Sequence, residues 1–145
     1  MSAKIFYKLG SISIMIIGIG HLILHFVLRG RNPAGILVMN QMKNIKVGFG
    51  NVTQTMASFY TGFSITMGAL LVLAGLQNLF LAASLDVSFS RHKGSAFMAI
   101  LLAGILFVLS MKYFIILPQM LSLLALIFYS LGFWKLTHDE KSSSI

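Results

Sequence analysis

The chain has 145 residues, of which 57% are hydrophobic and 10% charged, against roughly 25% charged in a soluble domain. One small water-soluble core has no room for that much apolar surface, and the mean hydropathy of +0.90 agrees. Eleven Lys and Arg against three acids give a net charge of +8, and there is no cysteine, which excludes disulfides and thiol chemistry.

The basic residues sit at the ends of apolar runs, where lipid headgroups meet a membrane protein. No aromatic-plus-basic module accompanies them, so nucleic acid is set aside as a partner. The lipid bilayer is the expected surrounding, and the fold class is all-α, a transmembrane four-helix up-down bundle. The whole chain, residues 1–145, reads as a single integral membrane domain.

A spanning helix needs about 20 mostly apolar residues. The first candidate covers about 5–28, closed by Arg29, Gly30, Arg31, Asn32 and Pro33. Lys4 and Lys8 resemble the start of a signal peptide. The apolar run is too long and no small-residue cleavage site follows, so it reads as a retained helix.

The loop from Arg29 to Ala57 is the one substantial connection. Ile36 to Met42 suits an interfacial amphipathic helix. Ile45, Val47 and Phe49 alternate ahead of Gly50-Asn51, which predicts a short strand or hairpin.

The second span is expected over 58–83, before Asp86 and the basic stretch Arg91, His92 and Lys93. The third is expected over 95–112 and the fourth over 115–136, with a polar tail from Thr137 to Ile145. The gap between the last two is so short that they must be antiparallel neighbours, and Pro118 suits a first helical turn. One long kinked helix is the alternative, and it would put Lys112 in mid-membrane. Phe6, Tyr7, Phe133 and Trp134 mark one interface, and Phe59, Tyr60, Tyr113 and Phe114 the other. Six basic residues against five favour cytoplasmic termini.

Polar side chains are costly in lipid and should face inward. On the first helix Tyr7, Ser11, Ile14, Gly18, His21 and His25 form such a stripe. On the second, Ser58, Gly62, Thr66, Ala69, Leu73 and Phe80 form one, with Gly68 and Gly75 on another side. Ala96, Ala99, Ala103 and Ser110 align on the third, and Ser122, Ala125, Tyr129 and Gly132 or Phe133 on the fourth.

His21 and His25 are the strongest feature. Four residues apart, they face the same way, toward the outer end. Thr66, Ser110 and Ser122 come at similar depth, counting 1.5 Å per residue. The five make a candidate pocket for a small lipophilic ligand, a quinone or a lipid. The competing reading makes the histidines neutral structural groups bonded to Thr66 or a carbonyl. Gln77 and Asn78 lie in the drier inner half with Ser11 and Ser13.

A zinc hydrolase site needs a third ligand and an acid, and no Asp or Glu lies in any span. Copper(I) would draw on Met67, Met111 and Met120, residues that otherwise fill core gaps. Two histidines on one helix cannot flank a haem iron. No catalytic residue is assigned and no cofactor is identified. A second class of function is a structural or accessory subunit in a homo- or hetero-oligomer, motivated by small residues on two faces of the second helix.

The chain resembles small bacterial four-helix membrane proteins of the DoxX-like group. The resemblance rests on overall length, Gly18-x-Gly20-His21, Gly62-Phe63-Ser64, Met67-Gly68, and Tyr113-Phe114 before Pro118. It implies a multi-pass protein of the bacterial inner membrane. Some members of that group are associated with quinone-linked electron transfer.

Overall fold

A computed structural model describes residues 2–28, 32–49, 52–84 and 89–143. The elements are α1 (Ala3–Leu28), α2 (Pro33–Asn44), β1 (Lys46–Phe49), β2 (Val52–Thr55), α3 (Met56–Ser84), α4 (Phe89–Tyr113) and α5 (Ile116–Ser143). Residues 29–31, the expected Gly50-Asn51 turn, Asp86 and Ile145 lie outside the described residues.

Among the described residues, four helices are long and apolar enough to cross a membrane: Ala3–Val27, Met56–Ala83, Lys93–Tyr113 and Ile116–His138. The shortest of them, at 21 residues, is about 32 Å long, enough for a hydrocarbon core of about 30 Å. The chain is a multi-pass integral membrane protein. The last two apolar runs are separate helices, so the kinked alternative does not form. Lys112 sits in the last turn of α4, with its Nζ 5.2 Å from the centre of the Tyr113 ring.

Two compact units share α1 and α3. The first joins residues 1–17 to residues 71–145. It is a four-helix packing of the start of α1, the end of α3, and α4 beside α5. Its core holds Tyr7, Ile14, Leu71, Ala99, Ala125 and Tyr129, among others. The second unit, residues 18–70, contains the end of α1, α2, the hairpin and the start of α3.

In the second unit, Asn32 caps α2, its side chain accepting from the Ala34 amide at 3.1 Å, and Pro33 stands where a missing N–H costs nothing. The strands pair antiparallel with Lys46 opposite Thr55 and Phe49 opposite Val52. The Met56 amide donates to the Ile45 carbonyl at 2.8 Å, which ties the foot of the hairpin to α3.

Buried positions recur at alternating three- and four-residue steps on each long helix. They are Tyr7, Ser11, Ile14 and Gly18 on α1, and Ser64, Gly68, Leu71, Gly75, Asn78 and Ala82 on α3. On α4 they are Ala96, Ala99, Ala103, Leu106 and Ser110, and on α5 Ser122, Ala125, Tyr129 and Gly132. This is the seam spacing of supercoiled helices, with small residues letting backbones approach.

The α1, α4 and α5 seams match their sequence stripes. The α3 seam does not. Ser58, Gly62, Thr66, Leu73 and Phe80, expected inside, are exposed, and Ala69 is half-buried. The Gly68 and Gly75 side carries the packing instead. A hydroxyl in a helix need not turn inward, because it can bond its own backbone four residues back. Thr61 does this, donating to the Ala57 carbonyl at 2.7 Å.

Two glycines show how close the helices come. A Cβ on Gly68 would lie 2.7 Å from the Leu22 side chain, and one on Gly75 would run into Met15 and 2.9 Å from the Ser11 carbonyl. α5 continues to Ser143, through most of the segment expected as a polar tail. Nothing after Gly132 breaks a helix, and Lys135, Leu136, Glu140 and Lys141 favour one.

Candidate functional site

The five residues singled out in the sequence fall into both units: His21, His25 and Thr66 lie in residues 18–70, and Ser110 and Ser122 in the other. In residues 18–70, His21 Nε2 lies 3.0 Å from the Ser64 hydroxyl. Ser64, not the expected Thr66, is the buried partner, because it lies on the Gly68 and Gly75 side of α3. His25 is buried, edge-on to Phe26 at 5.3 Å and tilted against Tyr60 at 6.4 Å. Thr66 is exposed.

In the other unit, Ser110 lies near the end of α4 and Ser122 near the start of α5. The Gln119 side chain donates to the Ser110 carbonyl at 3.2 Å and the Phe114 carbonyl at 2.8 Å. It thereby ties the start of α5 to the end of α4, where the Ser110 carbonyl also accepts from the Phe114 amide at 3.0 Å. The Ser122 hydroxyl donates to the Pro118 carbonyl at 2.7 Å and is also 3.0 Å from the Gln119 carbonyl. Among the described residues no three His, Cys, Asp or Glu side chains gather.

A different polar cluster lies wholly inside the four-helix unit. Tyr7 on α1 and Tyr129 on α5 face each other with ring centres 5.5 Å apart. Each ring fills the space over a glycine of the opposite helix. A Cβ on Gly10 would be 2.8 Å from the Tyr129 ring, and one on Gly132 would be 2.8 Å from the Tyr7 ring. Both helices carry the same local sequence, Tyr-x-Leu-Gly, at Tyr7–Gly10 and Tyr129–Gly132. With the helices antiparallel, the two segments form a reciprocal clasp. No Cβ fits under either ring, so glycine is needed at both places.

From this clasp a hydrogen-bond chain extends across the bundle. The Tyr129 hydroxyl donates to the Ser11 hydroxyl at 3.2 Å, and Ser11 donates to the Tyr7 carbonyl at 2.7 Å. The Asn78 side chain of α3 also bonds the Tyr129 hydroxyl. The chain ends on a backbone carbonyl, which cannot pass a proton on. Its work is to fix α1, α3 and α5 together. The Tyr7 hydroxyl is buried and finds no partner among the described residues.

Asn78 also borders a cleft between α3 and α4 of about 890 Å³. Gln77, Asn78 and Ser95 supply polar groups to its lining, and Met98, Ala99 and Leu102 supply apolar wall. Gln77 and Ser95 are exposed, whereas Asn78 is buried. The cleft is an open groove, with Phe80, Gly94 and Met98 of its lining also exposed. Carboxamides both donate and accept hydrogen bonds, so the cleft can pair with a carbonyl or hydroxyl while its walls hold an apolar body. Gln77 and Asn78 are prominent in the sequence as polar residues of the second span. The part of α4 that faces them is not, because Gly94, Ser95 and Met98 carry no periodic signal of their own.

No family model, no curated protein and no solved structure matches this chain.

Proposed function

We propose that this membrane protein binds a small lipophilic ligand with a carbonyl-bearing head, a quinone or an ester lipid, in the cleft between α3 and α4. The carrying observation is the cleft itself, with three hydrogen-bonding side chains among apolar walls. Asn78 is buried and interacts with the Tyr129 hydroxyl, and a side chain already held in place lowers the cost of binding. His21 and His25 act as packing groups of the other unit, a role supported by the bond to Ser64 and the aromatic contacts of His25.

The DoxX-like resemblance accords with this reading and with residence in a bacterial inner membrane. The basic residues favour cytoplasmic termini. Native mass spectrometry of protein purified in mild detergent tests the binding claim. The wild type is expected to retain a lipophilic molecule stoichiometrically. Ala74→Phe, which places a ring in the half-buried cleft wall, is expected to lose it. Equal ligand content, or none in either protein, overturns the proposal.

A further inference from the structure

The helix α2 has no packing role that its sequence would explain. None of its residues is buried. Ile36, Leu37 and Val38 are 42%, 61% and 51% exposed, and Ile45 just beyond the helix is 51% exposed. Left in water, three consecutive apolar side chains on a twelve-residue helix would be a liability.

Both ends of α2 are tied close to the bilayer. α1 ends at Leu28 and α2 begins at Pro33. Beyond its other end, Ile45 accepts a hydrogen bond from Met56, the first residue of α3. The apolar face is therefore held at the level where two spanning helices leave the membrane. Phe26 and Val27 at the end of α1 and Phe59 and Phe63 at the start of α3 are exposed apolar residues of the same unit.

The charge pattern selects a kind of lipid. Between residues 29 and 57 the sequence carries Arg29, Arg31, Lys43 and Lys46 and no acid. On α2 itself Ile36, Met39, Asn40 and Lys43 follow one another at helical spacing and line a concavity of about 280 Å³. Its two ends differ in chemistry: Ile36 and Met39 are apolar, while the Lys43 ammonium donates to the Asn40 carboxamide at 3.4 Å. A glycerophospholipid offers both partners, a phosphate for the ammonium and an acyl chain for the apolar residues.

We propose that α2 lies in the membrane interface and docks on anionic phospholipid. Lys43 meets the phosphate, and Ile36, Leu37 and Val38 enter the acyl boundary. Each basic residue near such a surface adds attraction that salt screens. The proposal is independent of the cleft between α3 and α4, because α2 and the cleft belong to different units.

The chain has one tryptophan and no cysteine, so single reporters are clean. Leu37→Trp in a Trp134→Phe background is reconstituted into phosphatidylcholine vesicles with and without phosphatidylglycerol, each with brominated acyl chains. The expected result is blue-shifted emission quenched by the brominated chains. Quenching should be stronger with phosphatidylglycerol, and that increment should vanish in high salt or with Lys43→Gln and Lys46→Gln. Emission quenched by aqueous iodide and indifferent to brominated chains would overturn the proposal, as would quenching equal in both lipids. Gln41→Cys, read by its labelling rate with a membrane-impermeant maleimide, provides a second reporter. Slower labelling in phosphatidylglycerol vesicles supports the proposal, and equal rates contradict it.

Discussion

Tyr7 and Tyr129 touch each other, yet their hydroxyls have opposite circumstances. Tyr129 donates to Ser11 and is bonded by Asn78, while the Tyr7 hydroxyl has no partner among the described residues. A buried hydrogen bond contributes about 0.5–1.5 kcal/mol net, and removing one partner also leaves the other unsatisfied. Tyr129→Phe is therefore expected to destabilise the protein by about 1–2 kcal/mol, whereas Tyr7→Phe should be neutral or stabilising. Unfolding in mixed micelles by a denaturing detergent measures both. A second pair, His21 and Ser64, lies at hydrogen-bond distance. A double-mutant cycle with His21→Ala and Ser64→Ala should give a coupling of about 0.6 kcal/mol, the mean for such bonds within membranes. At this scale the sequence shows which residues turn inward on α1 and α5, but not who meets whom. Thr66 and Ser64 are chemically alike, and only the packing side of α3 decides between them.

The side of α3 that packs is a property of the whole element. Polar residues on one stripe suggest one face, while the glycines mark another, and the glycines prevail. Between two helices in lipid, burial of apolar surface gives no advantage over lipid contact, so close backbone approach decides. A hydroxyl, by contrast, can be satisfied within its own helix. Gly75→Leu should therefore cost at least the roughly 1–3 kcal/mol of an overpacked core, since even the Cβ meets Met15 and the Ser11 backbone. Gly62→Ala, with nothing within 4 Å of the new atom, should be harmless or gain up to about 1 kcal/mol of helix propensity. The same unfolding assay separates the two. The hairpin and α2 are legible because their signals are local: a period-two alternation, and an amphipathic stretch over Ile36 to Met42. The extent of α5 is less so, because a polar end favours helix and water equally well.

For the molecule as a whole, composition alone indicates a membrane protein, and the four apolar helices agree. The proposed topology puts both termini on the cytoplasmic side of four spans. In a chain without cysteine, Ser2→Cys should be shielded from an impermeant thiol reagent added outside intact cells. Asn40→Cys, on the segment between the first two spans, should be labelled. The reverse pattern would invert the topology. The cleft is the least legible part, because it arises where a glycine and a serine of α4 leave space beside two carboxamides of α3, and no one-dimensional pattern records a gap. Occupancy of that cleft by a lipophilic ligand is the proposed function. The most direct measurement compares Met98→Cys, in the cleft wall, with Val108→Cys, elsewhere on α4. The two positions are similarly exposed at 60% and 67%. Each variant is labelled with a small apolar thiol reagent before and after exhaustive delipidation. A ligand in the cleft predicts slow labelling at position 98 that rises on delipidation, with position 108 fast throughout. Equal rates at both positions, unchanged by delipidation, would contradict the account.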